Sequence, residues 1–101
     1  MTDMDELADR FLKACHERKI LAATAESCTG GKIIALLTNI PGSSSMVDRG
    51  FVIYSNEAKM EMLGVREATL DAHGAVSRET ALEMAAGALK NSRAGITLAV
   101  T

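Results

Sequence analysis

The chain has no tryptophan, one proline and two cysteines, and it carries almost no net charge. Each scarcity excludes something. Cys15 and Cys28 are too few for a disulfide framework, and no CxxC pair is present. His16 and His73 lie far apart in sequence, so no cluster of metal ligands stands out and no metal is expected. No apolar run reaches the roughly 18 residues of a membrane span, so no membrane contact is expected. A formal charge of -2 and a pI near 5.6 do not supply the clustered Lys and Arg of a nucleic-acid surface. The first ten residues, MTDMDELADR, are acidic and lack the basic-then-apolar order of a secretory leader. A cytoplasmic location is therefore expected.

What is present reads as globular. A hydrophobic share of 48% is too high for a disordered chain of this low charge. A length of 101 residues allows one domain, spanning 1–101. So short a chain buries a limited share of its surface, which predicts modest stability and leaves association with other chains open.

The apolar pattern alternates between helix and strand. Leu7, Phe11 and Cys15 recur every four residues, with Ala8 and Leu12 beside them, which predicts an amphipathic helix from Asp3 to Lys19. Thr2 or Asp3 caps it. Ile20 to Ala25 suits a buried strand. A polar turn, Glu26 to Gly31, leads to a helix from Lys32 to Thr38. Asn39 to Asp48 is loop-like and holds Pro41, Gly42 and three serines. A second strand is predicted over Gly50 to Tyr54. Helices follow over Glu57 to Leu63 and Glu67 to His73, each stopped by a glycine. Ser77 caps a last helix, Arg78 to Lys90, and Ile96 to Val100 is a third strand. This order predicts a three-layer α/β/α domain around a mixed, partly parallel sheet. In open α/β sheets the sites lie beyond the strand C-termini. A chain that stops on a strand at Thr101 is thus expected to be incomplete at its C-terminus.

Glu26 to Gly31 is the strongest local signal, because it joins a strand end to a helix start. Free amides there, next to Gly30 and Gly31, suit an anion or an oxyanion. Ser27, Cys28 and Thr29 offer two hydroxyls and a thiol. The plainer reading is a helix cap, and spacing alone favours it. A nucleotide P-loop is excluded: Gly31-Lys32 is followed by Ile33, and Glu26 stands where the first glycine belongs. Tyr54 and Lys59 form a second signal at the next strand–helix junction. Taken alone they read as a half-buried tyrosine and a solvated lysine. A serine nucleophile needs a base, and no histidine is well placed. A lysine serves if its environment lowers its pKa from the reference of ~10.4. Lys32, five residues from Ser27, competes with Lys59 for that role.

Several spaced segments resemble one family. Ala25-Glu26-Ser27-Cys28-Thr29-Gly30-Gly31 resembles the AESCTGG signature of the CinA C-terminal domain family. Pro41-Gly42-Ser43-Ser44 resembles its PGSS loop. Arg49 through Lys59 resembles its RGFVTYSNEAK segment, with Ile53 in place of threonine. Leu63-Gly64-Val65 and His73-Gly74-Ala75-Val76-Ser77 are similar to its LGV and HGAVS stretches.

The resemblance implies an amidohydrolase that converts nicotinamide mononucleotide to nicotinate mononucleotide and ammonia, with no metal and no organic cofactor. It implies Ser27 as nucleophile, Lys59 as base and Tyr54 as a proton relay or as the group that holds Lys59. It implies substrate contacts from Thr29, Gly30, Gly31, Ser43 and Ser44, and a homo-oligomer. Family members continue past the position of Thr101 with a glycine-rich loop and further elements. The alternative reading is a non-catalytic module that binds a nucleotide or a protein and acts in competence or damage regulation.

Overall fold

The computed structural model describes residues 2–101. The first helix, α1 (Asp3–Arg18), starts at Thr2, whose hydroxyl accepts from the Asp5 amide while the Asp5 carboxylate accepts from the Thr2 amide. This reciprocal pair satisfies two donors that a helix start leaves open. The helix ends where Lys19 turns left-handed at φ 55°. Strand β1 (Ala22–Glu26) follows, then α2 (Lys32–Thr38), a 3-10 turn over Ser43–Ser45, and β2 (Val47–Val52). Helices α3 (Asn56–Leu63), α4 (Glu67–His73) and α5 (Arg78–Lys90) precede the last strand, β3 (Ile96–Val100).

The strands lie in the order β2-β1-β3, and both pairings are parallel. The α/β layering expected from the sequence is present, and among the described residues the sheet contains parallel pairs only. Strand β2 begins three residues earlier than predicted. Its first residues include Asp48, which reads as loop in the sequence, and Arg49, which falls between the predicted loop and strand. An edge strand tolerates them because one side of it meets solvent. Asp48 accepts the Arg93 amide at 2.9 Å and so ties the start of β2 to the loop before β3.

The central strand reads Ala-Ala-Thr-Ala-Glu and is buried throughout. Its side chains alternate between the two faces. Ala25 joins a core with Ile53, Leu63, Val65 and Met84 beneath α3, α4 and α5. On the other face Leu12, Leu37 and Ile40 pack between α1 and α2. Cys15 is buried, as its place on the helix stripe predicts, while Leu7 on the same stripe is exposed. Gly50 lets α2 approach the sheet: a Cβ there would sit 2.8 Å from both Ile34 Cγ1 and Thr24 Oγ1. The register pairs Glu26 with Val52 on one side and Val100 on the other. All three strands thus end together, and the residues just after them share one edge of the sheet.

Candidate active site

Ser27 follows the last residue of β1. Its amide donates to the Val100 carbonyl at 2.9 Å, so the backbone is still held by β3 as the side chain leaves the sheet. The Gly30 amide donates to the Ser27 carbonyl at 3.1 Å and closes a tight turn, with Gly30 at φ 61° and Gly31 at φ 105°. Such angles suit glycine because a Cβ would be strained there.

Ser27 does not cap α2. The N-cap position is Gly31, which has no side chain to offer. The capping is done by Glu26, whose carboxylate accepts from the Ile33 and Ile34 amides at 2.9 Å each and from the Thr29 hydroxyl at 2.7 Å. Glu26 is fully buried. Burial alone would raise its carboxyl, but the donors from Ile33, Thr29, Ile34 and Gly31 together outweigh it and hold Glu26 below the usual carboxylate range. Sequence reading missed this role. The available signal was a lone acid ending a strand of alanines, a place where an unpartnered charge is costly.

With capping done elsewhere, Ser27 Oγ accepts a hydrogen bond from Lys59 Nζ at 3.1 Å. Lys59 is 2% exposed, not solvated. It lies in the first turn of α3, a helix capped by the Ser55 hydroxyl on the Ala58 amide. Its other partner is the Tyr54 carbonyl at 2.9 Å. Neither partner is a carboxylate. Burial pushes the Lys59 ammonium below the usual lysine value.

Three of the expected site groups are placed differently from their sequence reading. Tyr54 meets Lys59 through its carbonyl and not its phenol: the residue is 78% exposed, and its hydroxyl has no hydrogen-bond partner among the described residues. Both residues lie just past the end of β2, where Ile53 is buried in the core and Tyr54 faces outward. The amides of Gly30, Ile33 and Ile34 are not free for an anion, because Ser27 and Glu26 already accept from them. The amides of Cys28 and Thr29 have no partner among the described residues. Ser43 and Ser44 do not reach this site within one chain. They precede β2, whereas Ser27 and Lys59 follow strand ends, because α2 carries the chain back to the opposite edge of the sheet. Ser43 is buried there, donating to the Thr38 carbonyl at 3.0 Å. Lys32, the competing base, is exposed and makes no hydrogen bond to Ser27. Among the described residues no group of three or more His, Cys, Asp or Glu side chains could hold a metal.

The fold and the site define a class: a layered α/β protein with a buried serine–lysine pair at the C-terminal edge of a parallel sheet. Residues 4–101 match the CinA C-terminal domain, and the chain belongs to that family. It is 48% identical over 103 residues to the nicotinamide-nucleotide amidohydrolase PncC of Escherichia coli, covering all of this chain and 62% of that protein. It is 56% identical over 100 residues to a CinA-like protein of Chloroherpeton thalassium, covering 99% of this chain and 24% of the relative. The crystal structure of the competence/damage inducible protein CihA from Agrobacterium tumefaciens superposes with a TM-score of 0.96 at 54% identity, over all of this chain and 61% of that one. The chain thus spans between about a quarter and three fifths of the length of these relatives.

Proposed function

We propose that this chain carries the nucleophile and base of an amidohydrolase acting on nicotinamide mononucleotide. One observation carries the reading: a buried lysine amine, with no carboxylate to hold its charge, lies 3.1 Å from a serine hydroxyl. The name of the Escherichia coli relative supplies the substrate class.

Neutral Lys59 has two N–H donors and one lone pair. One N–H stays on the Tyr54 carbonyl, and in the neutral amine the lone pair takes the place of the N–H that faces Ser27 Oγ in the charged form. Lys59 takes the hydroxyl proton as Oγ bonds to the carboxamide carbon. The carbonyl oxygen gains negative charge, and the unpaired amides of Cys28 and Thr29 are the nearest backbone donors in sequence. A donor of this kind lowers a barrier by roughly 3 kcal/mol. The C–N bond then breaks, and ammonia leaves with the proton held by Lys59. Water, activated by the same amine, hydrolyses the acyl ester to the acid. No step calls for a metal or an organic cofactor. The Thr29–Gly31 turn borders the reacting carbon and is the proposed place of further substrate contacts. Cytoplasmic location and a homo-oligomer belong to this proposal.

The test is ammonia release on adding the mononucleotide. Ser27→Ala is expected to bring it to background. Lys59→Met, which keeps the volume, is expected to lose at least ~100-fold, the usual scale for a removed general base. Activity is expected to rise with pH as Lys59 loses its proton, with a midpoint below ~10.4. Near-normal release from Ser27→Ala would exclude the serine. Saturable binding without turnover in the parent chain would favour the regulatory module instead.

A further inference from the structure

We propose that Glu26 is a positioning residue for Ser27: its buried carboxylate gathers the Thr29 hydroxyl and the Ile33 and Ile34 amides, which leaves the serine hydroxyl to the lysine. The proposal rests on the reading of Ser27 as a nucleophile.

A serine between a strand and a helix ordinarily turns its hydroxyl onto the first helix amides. Had Ser27 done so, Oγ would be engaged with those amides and not with Lys59 Nζ. The competition is decided by chemistry. An ionised carboxylate accepts at two oxygens and forms stronger hydrogen bonds than a neutral hydroxyl. Glu26 Oε1 takes Thr29 Oγ1 at 2.7 Å and Ile33 N at 2.9 Å, and Oε2 takes Ile34 N at 2.9 Å. These three bonds reach from the residue before Ser27 to the residue two after it, and on into α2. They brace the short turn closed by Gly30 N on the Ser27 carbonyl. The carboxylate has no cation partner in the site, so its burial is offset by these neutral donors and the Gly31 amide. A group needed only for packing at this strand end would be better apolar. Glu26 itself makes no hydrogen bond or ion pair with Lys59. Its effect on the reaction passes through the seat of Ser27.

The experiment uses phenylmethanesulfonyl fluoride, which modifies an activated serine without requiring the proposed substrate. Labelling of Ser27 is located by peptide mass and its rate constant measured from pH 6 to 10 by ordinary titration of the buffer. Glu26→Ala is expected to lower the saturated labelling rate by ~100-fold, the scale of a misplaced reacting group, with little change in the half-saturating concentration. Glu26→Gln keeps one acceptor oxygen and is expected to recover part of that loss. Thr29→Val removes a single bond to the carboxylate and is expected to lose a few fold. The lysine limb of the pH profile should keep its position in Glu26→Gln.

A Glu26 that merely stabilises the fold predicts otherwise: lower resistance to urea, with the folded fraction labelling at the parent rate. That result in Glu26→Ala overturns the proposal. If Glu26→Ala does not fold, parent-rate labelling in both Glu26→Gln and Thr29→Val overturns it. A parent chain whose Ser27 never labels overturns it together with the catalytic reading. A parent chain that labels but releases no ammonia from the mononucleotide sinks only the substrate assignment.

Discussion

Lys59 is held by a serine hydroxyl and a backbone carbonyl, so neither partner offsets its charge. Its folded pKa lies below its unfolded one. Between the two values the unfolded chain binds more protons, so stability rises with pH across that window, up to about 10.4. Urea unfolding at a series of pH values should show the parent gaining on Lys59→Met as the pH rises. A difference that stays flat would mean that the lysine is not disfavoured in its charged form. Spacing in the sequence could not reveal this pair. Ser27 and Lys59 are 32 positions apart, and each alone resembles a common surface feature. Spacing left Lys59 and Lys32 in competition as the base, and similarity to a family decided between them. That similarity did not show that Tyr54 meets Lys59 through its carbonyl, since a sequence names side chains and not the backbone groups that fold around them.

At the scale of elements, the helices were readable almost to the residue. Lys32–Thr38, Glu67–His73 and Arg78–Lys90 appear with the bounds that their periodicity and caps predict. Two features were not readable. One is Glu26, whose folded carboxyl lies below its unfolded value. Its stabilising effect is present above about 4.3 and is lost as pH falls through the lowered folded value. Acid unfolding of Glu26→Gln should therefore show a weaker loss of stability over that window than the parent does. The other is Gly87, in the interior of α5. Helix propensity alone says that alanine there would stabilise by up to about 1 kcal/mol. The structure reverses the sign, because a Cβ would lie 1.9 Å from the Leu63 carbonyl oxygen at the end of α3. Gly87→Ala must push the two helices apart and is expected to destabilise by ~1–3 kcal/mol or more, as overpacking does. Thermal unfolding decides between the two signs.

At the scale of the whole molecule, the sheet separates two apolar cores, one under α3–α5 and one between α1 and α2. Substitutions on opposite faces share no partner and are expected to add. Leu12→Ala should cost about 2–5 kcal/mol and Ile53→Val about 0.5–1.5 kcal/mol. The double variant should equal their sum within about 0.5 kcal/mol in urea titrations. A larger discrepancy would mean that the two layers are coupled through the alanine-rich central strand. The sequence by itself determined the type and order of the elements and the layered α/β class, because periodicity, caps and glycine stops are local and act within a few residues. It also determined family membership, since several motifs recur in one order. Tertiary structure alone decided the rest: which strand is central, which amides stay unpaired, which lysine is buried, and which serine sits at the far edge. Those outcomes follow from how β1 pairs with β2 and β3 and how α2 carries the chain back across the sheet. Pairing of that kind joins residues tens of positions apart, and no short pattern in the chain records it.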